Sequence, residues 1–142
     1  MSVNQILERK GRDVVTLHPD VTLEEVAQVL ARKRIGAIVL LEDSGRVAGI
    51  VSERDIVRVI GTAGVAALAH GVRDEMTMDV KTCTGSTGID EAMQIMTEGR
   101  FRHLPVCENG KLTGIISIGD VVKRRIEDVE REAAEMREYI AS

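Results

Sequence analysis

The chain has 142 residues, a formal net charge of −4 and a hydrophobic fraction of 44%, which suits one compact domain with its own core. Phe101 and Tyr139 are its only aromatic residues, which argues against the stacking platforms that bind single-stranded nucleic acid. Acidic side chains concentrate in residues 127–142, and the neutral remainder has no basic surface for DNA or RNA.

The sequence also bears on location. No apolar run approaches the roughly 20 residues that span a bilayer, and no basic segment followed by an apolar stretch marks a signal peptide. Cys83 and Cys107 lack the spacing of metal ligands, and two cysteines cannot build a disulfide framework. We therefore expect a cytoplasmic protein with reduced cysteines, without membrane insertion and without a bound metal.

The first half of the chain predicts a succession of short elements. A capping box at Thr22 and Glu25 starts a helix whose apolar residues recur at i, i+3, i+4 and i+7. Two apolar runs joined by turn residues then indicate a hairpin. In chain order we predict a leader helix at 3–9, an extended run at 13–17, a helix after Thr22, hairpin strands at 37–41 and 47–51, and a second helix from Ser52.

The second half repeats this succession after a linker at 63–69. A shift of 66 positions, reduced to 65 after Ser44, places residues 14–60 on 80–125. One such β-α-β-β-α unit leaves a sheet face uncovered, so we expect the two units, at 1–69 and 70–142, to pack together. The second set of predicted elements comprises a leader helix at 72–76, an extended run at 79–83, a helix after Gly88, strands at 103–107 and 112–116, and a helix from Ser117.

This last helix is predicted to be long and to carry an apolar seam. The seam residues step by 4, 3, 4, 3 and 4, which is the spacing of a coiled coil. The spacing leaves two interpretations open, packing on its own domain and contact with a second copy of the chain. The seam consists of Val122, Ile126, Val129, Ala133, Met136 and Ile140.

Two matching strings, GIVSERD at 49–55 and GIISIGD at 114–120, carry the candidate chemistry. Each places a serine after a strand and an aspartate three residues later, in the first turn of a helix. Free N–H groups at a helix start suit an anion or a sugar oxygen, and a carboxylate there can accept hydrogen bonds from both hydroxyls of a ribose. A plain helix cap would have the same signature. Two copies in register favour the ribose interpretation.

The paired Gly-x-x-Ser-x-x-Asp strings and the segment HLPV at 103–106 make the chain resemble the tandem CBS domain pair, or Bateman module, over residues 3 to 126. The resemblance implies an α/β (α+β) fold, with two β-α-β-β-α repeats packed about a pseudo-twofold axis and a long C-terminal helix. It also implies a stand-alone regulatory module that is not an enzyme. Two clefts between the repeats would bind AMP, ADP, ATP or NAD(H), ahead of S-adenosylmethionine.

The same resemblance implies a set of ligand-binding residues, with each cleft built from both repeats and a ribose on each aspartate. Arg54, Arg102 and His103 are the phosphate candidates that the resemblance implies. For His103 a packing role is the alternative, and a metal site there lacks neighbouring ligands at suitable spacing. Since these cations are unevenly shared, we expect the first cleft to be the better equipped. That cleft is predicted to contain Asp55, Ser52, Arg54, Thr77, Lys81, Phe101, Arg102 and His103. The other is predicted to contain Asp120, Ser117, residues 10–15 including Val15, and Ile35, Gly36 and Ala37, the last two near the axis.

Three functions compete on this basis. The leading one is an adenine-nucleotide sensor that forms a homodimer and modulates a partner protein outside this chain. The alternative is a ligand-independent dimerisation or docking module, in which the Ser-x-x-Asp turns are only caps. An enzyme has the least support, because the sequence offers no Ser-His-acid set, no metal cluster and no phosphate loop.

Overall fold

The structure, a computed structural model, describes residues 1–141 as five α-helices, five β-strands and two 3-10 helices. The predicted succession of elements is confirmed in the first repeat, with its extended run reduced to a two-residue strand, whereas the second repeat differs at its leader and its extended run. The helices are α1 (Val3–Lys10), α2 (Leu23–Lys33), α3 (Glu53–Ala63), α4 (Ile89–Gly99) and α5 (Ile118–Ala141). The strands are β1 (Thr16–Leu17), β2 (Ala37–Leu41), β3 (Val47–Ser52), β4 (His103–Glu108) and β5 (Lys111–Ser117), and the 3-10 helices are Val65–Ala69 and Val72–Asp74.

Each repeat is built on an antiparallel hairpin with a parallel neighbour. In the first repeat the order is β1-β2-β3, with β1 parallel to β2. In the second, β4 pairs with β5, and a single parallel bridge between Cys83 and Val106 takes the place of β1. The extended run predicted at 79–83 therefore contributes only its last residue to the sheet, and residues 79–81 face a cavity between the repeats instead.

The two repeats exchange their leader segments. Helix α1 buries Val3, Ile6 and Leu7 in the core of the second repeat. The segment after α3 buries Val72 and Met76 in the core of the first. The exchange explains the pairing of the units, because each core is completed by residues that precede the other repeat.

The leader helix predicted at 72–76 was wrong in type. The structure has a three-residue 3-10 helix there, Val72–Asp74. The chain straightens soon afterwards because the backbone of Thr77 pairs with Ile50 in both directions, with N···O distances of 2.9 and 3.0 Å. An extended ladder pair at this point is incompatible with a helix that continues.

The glycines of the two matching strings let the exchanged leaders approach the hairpins. A Cβ atom on Gly49 would lie 2.6 Å from Met76 Sδ, and one on Gly114 would lie 2.8 Å from Leu7 Cδ2. Both distances are far below van der Waals contact, so only glycine allows this packing.

Helix α5 packs on the second repeat through one face, which buries Val121 and Asp128. Asp128 Oδ1 lies 3.3 Å from Arg124 Nε and 3.0 Å from Arg131 Nη2, so this buried carboxylate has cationic partners on its own helix. The apolar seam is on another face and is exposed, so packing of the seam on its own domain was the wrong interpretation. Across residues 1–141, no helix combines the length and apolar character needed to cross a membrane.

Candidate functional site

A cavity of about 450 Å³ opens between the two repeats, a size typical of sites for small organic ligands. Its walls come from the strand-to-helix turn of the first repeat and from the leader and first hairpin strand of the second. The lining residues are Gly36, Ala37, Ile50, Ser52, Glu53, Arg54, Asp55, Arg58, Thr77, Asp79, Val80, Lys81, Gly99, Arg100, Phe101, Arg102, His103 and Pro105.

The turn from β3 into α3 presents Asp55 to this cavity. Asp55 Oδ2 accepts hydrogen bonds from Ser52 N at 2.8 Å and Ser52 Oγ at 3.0 Å, and Asp55 N donates to Ser52 Oγ at 3.3 Å. These contacts form a capping box that starts α3. The other carboxylate oxygen of Asp55, Oδ1, lies 3.0 Å from Arg58 Nη1, one turn along the helix. The carboxylate is therefore held in place at the cavity wall.

The cavity carries more positive than negative side chains. Arg58 and Arg100 join the three cations that the sequence places here, which are Arg54, Lys81 and Arg102. Three carboxylates oppose these five cations, on Glu53, Asp55 and Asp79. An excess of cations in a concave site favours an anionic ligand.

His103 stands where the two repeats meet at the start of β4. A Cβ atom on Gly36 would lie 3.0 Å from His103 Cε1, so the imidazole packs directly against the backbone of the first repeat. Burial lowers the pKa of His103 below its ordinary value, and the nearby charge of Lys10 acts in the same direction. The ring is therefore neutral near pH 7 and can donate one hydrogen bond and accept another.

The second turn, from β5 into α5, has the same internal geometry with different neighbours. Ser117 N donates to Asp120 Oδ2 at 2.8 Å, and Asp120 N donates to Ser117 Oγ at 3.1 Å. Lys10, at the end of α1, also donates to Asp120 Oδ2, at 2.7 Å. Burial acts to raise the pKa of Asp120, but the hydrogen bonds from Lys10 and Ser117 bring it below its ordinary value. Asp120 is thus paired within the protein.

The structure sorts the predicted site residues into two groups. All eight residues predicted for the Asp55 cleft, Asp55 included, line the cavity, and Gly36 and Ala37, predicted on the Asp120 side, line it as well. The remaining residues predicted for the Asp120 cleft do not line it. These are Asp120, Ser117, Ile35 and residues 10–15 including Val15, of which Ile35 lines an open groove between α2 and α3.

Sequence reasoning missed two of the cations. Arg58 follows Asp55 by three residues, so helical spacing could have placed it beside that carboxylate. Arg100 ends α4 in the left-handed conformation, with φ 58°, as Arg34 ends α2 with φ 55°. The repeat matches Arg34 with Arg100, yet nothing in the sequence indicates that only Arg100 lines the cavity between the repeats. In the described residues, 1–141, no group of three potential metal ligands comes together.

Comparison with known proteins agrees with this architecture. The CBS domain family model matches residues 5–62 and 72–127. A CBS-domain containing protein from Agrobacterium tumefaciens, known from a crystal structure, is 50% identical, with 88% of this chain and 99% of that chain covered and a TM-score of 0.85. A mitochondrial CBS domain-containing protein from Arabidopsis thaliana is 30% identical over 98% of this chain and 71% of its own.

A further similar structure holds a ligand. It is a CBS domain protein from Pyrobaculum aerophilum complexed with AMP, 29% identical, with 84% of this chain and 89% of that chain covered and a TM-score of 0.75. The two matched segments of the present chain correspond to its two structural repeats. The chain therefore belongs to the CBS domain family and carries the domain as a tandem pair.

Proposed function

We propose that this protein is a cytoplasmic, non-catalytic regulatory module that binds an adenine nucleotide in the cavity beside Asp55 and modulates a partner protein. The observation that carries the proposal is the cavity itself, which combines a carboxylate at a helix start with five cationic side chains. The complex of a similar CBS domain protein with AMP supports the choice of ligand class.

Each part of the cavity suits one part of a nucleotide. Asp55 would accept hydrogen bonds from the ribose hydroxyls, and Arg58 would have to move from Oδ1 to admit them. Arg54, Arg102 and His103 would receive the phosphates. The base would pack mainly on aliphatic side chains, because the lining contains a single Phe, Tyr or Trp residue, Phe101.

The proposal names one well-equipped cleft and leaves the other as a weaker candidate. Both aspartates have a cationic partner, but only Asp55 lies in the cavity wall, and Lys10 ties Asp120 to the leader of the other repeat. Thr77 and Lys81 add a hydroxyl and a cation on the Asp55 side. We therefore expect a single strong binding event per chain, with a second event weaker or absent.

Isothermal titration tests the ligand class, with AMP, ADP, ATP, NADH and S-adenosylmethionine titrated in turn into the purified chain. We expect at least one of the first four to bind in the micromolar to low millimolar range. The measured stoichiometry would show whether one or both clefts fill. Absence of binding for all five at millimolar concentration would overturn the proposal.

Replacing Asp55 with alanine tests the site. Hydrogen bonds to a charged group are worth about 1.5–3 kcal/mol, so Asp55→Ala should weaken nucleotide binding by about tenfold or more. Asp120→Ala is the matched control, because it removes an equivalent capping box outside the cavity. Equal affinities of Asp55→Ala and Asp120→Ala would show that the cavity is not the site.

One observation favours a second candidate, a dimerisation or docking module that needs no ligand. Both Ser-x-x-Asp turns serve as capping boxes, and the seam of α5 is exposed. The melting temperature separates the two functions: saturating nucleotide raises it under the first and leaves it unchanged under the second.

A further inference from the structure

Helix α5 presents two distinct faces. Its 24 residues bury Val121 and Asp128 against the second repeat, and Arg124 lies on the same face at i+3 from Val121. At 100° per residue, the apolar seam is centred about a third of a turn away from that face. The exposed fractions of its large side chains are 41% for Val122, 52% for Ile126, 50% for Val129, 60% for Met136 and 76% for Ile140.

The seam fits the heptad pattern of a coiled coil. Ile126, Ala133 and Ile140 occupy a positions, and Val122, Val129 and Met136 occupy d positions. Ile126 and Ile140 match the β-branched a positions of two-stranded coils, whereas the d positions lack the leucines that accompany them there, so the flanking charges carry the argument for the pairing. The seam runs from residue 122 to 140, a little under three heptads, and continues a helix that is already anchored to the folded body.

Charged residues flank the seam in a pattern that suits a parallel partner. The e positions are Lys123, Glu130 and Arg137, and the g positions include Arg125 and Glu132. In a parallel pair each g residue faces the partner's e residue five positions later. Arg125 would then face the partner's Glu130, and Glu132 would face the partner's Arg137, so both contacts are attractive.

An antiparallel pair aligned on the same six seam residues would bring like charges together. Glu130 would face the partner's Glu130, and Glu132 would face the partner's Glu132. Lys123 would face the partner's Arg137. Like charges at such flanking positions are destabilising, so the charge pattern selects one direction.

We propose that two copies of this chain associate through α5 as a parallel, in-register coiled coil, held by the seam and oriented by the Arg125–Glu130 and Glu132–Arg137 contacts between subunits. The proposal deepens the dimerisation considered above and does not depend on nucleotide binding. The partner on the exposed seam is thus a second copy of the chain, because the charges that flank the seam are complementary to the same charges on a parallel copy.

Sedimentation equilibrium of the full chain without nucleotide tests the pairing. We expect a dimer, and Val129→Asp should shift it to monomer with an unchanged circular dichroism spectrum, since Val129 is exposed in the single chain. A monomer at all concentrations, or a dimer that Val129→Asp leaves intact, would overturn the proposal. Nucleotide titration into the Val129→Asp monomer shows separately whether the cavity functions.

Charge exchange tests the direction. Glu132→Arg would place like charges together at two symmetric positions and should raise the dimer dissociation constant about tenfold. Arg137→Glu should do the same, because the residues three and four away are Ala133, Ala134, Ile140 and Ala141 and offer no intrahelical charge. The double variant should restore the original affinity.

The control is Glu138→Arg, the same substitution on the far side of the helix from the seam, which should leave the dissociation constant unchanged. In an antiparallel pair, position 132 does not face position 137, so the double variant would give no rescue. Failure of the rescue would overturn the parallel arrangement even if the protein is a dimer.

Discussion

At the scale of single residues, Asp55 and Asp120 have the same contacts with their own turns and different cationic partners. Each accepts a hydrogen bond from the serine N–H three residues earlier, at 2.8 Å in both turns. Asp55 then meets Arg58 of its own helix, whereas Asp120 meets Lys10 from the exchanged leader. One copy of the duplicated motif thus lies in a cavity wall, and the other copy is joined by an ion pair to the leader of the other repeat.

The Lys10–Asp120 pair predicts a pH-dependent contribution to stability. Because the pKa of Asp120 is lower in the folded protein than its ordinary value of 3.8, the carboxylate stabilises the fold above that pH and loses this effect as the pH falls through the folded pKa. Lys10→Met should therefore lower the free energy of unfolding by about 0.5–1.5 kcal/mol at pH 7, and by less in acid.

Urea unfolding at pH 7 and at successive pH values down to 3.8 and below measures this difference. Lys111→Met, the same substitution at an exposed position at the start of β5, is the control and should show no comparable loss. A loss for Lys10→Met that is equally large at every pH would contradict the ion-pair explanation.

At the scale of elements, the exchange of leaders makes each hairpin depend on a segment from elsewhere in the chain. Gly49 lies in β3 where Met76 and the carbonyl of Thr77 close over it. The glycine does not serve a special backbone angle here, since its φ is not in the positive range. It serves close approach, and the approach brings Thr77 to the cavity wall.

Gly49→Ala should accordingly destabilise the protein. The added Cβ would lie 2.6 Å from Met76 Sδ and 2.9 Å from the carbonyl oxygen of Thr77, and a backbone atom cannot give way as a side chain can. Overpacking of this kind costs about 1–3 kcal/mol. Gly61→Ala, inside α3 with open space around it, should instead stabilise by about 0.4–1 kcal/mol.

Chemical denaturation of both variants measures these opposite signs. Because Thr77 lies in the cavity wall, Gly49→Ala should also weaken nucleotide binding, whereas Gly61→Ala should not. Equal stability of the two variants would show that the leader can shift without cost.

At the scale of the whole molecule, periodicity and the internal repeat were enough to predict most elements of both repeats, but not the 3-10 helix at Val72–Asp74. The predicted neighbours of Asp55 came instead from the resemblance to the CBS domain pair. Local patterns could not predict which core each leader completes. The apolar spacing of Val3, Ile6 and Leu7 indicates that one face is buried, and the same face would suit either repeat. For that reason residues 10–15 were predicted near Asp120, but the ion pair between Lys10 and Asp120 was not predicted. Arg100, at the end of α4, was not predicted at the cavity.

Because the cavity takes its walls from both repeats, nucleotide binding should stabilise the two repeats together. A ligand at 100 times its dissociation constant adds about 2.7 kcal/mol to the free energy of unfolding.

Hydrogen exchange measures where this stabilisation falls. AMP, or the tightest of the tested nucleotides, should slow exchange of amides in the β3–α3 turn. It should do so to a similar degree in residues 77–81 and at the start of β4, since all three segments line the cavity. The exposed part of α5 beyond residue 129 is the internal control and should not change. Protection confined to one repeat would mean that the ligand does not bridge them, and the cavity between the repeats would then not be the binding site.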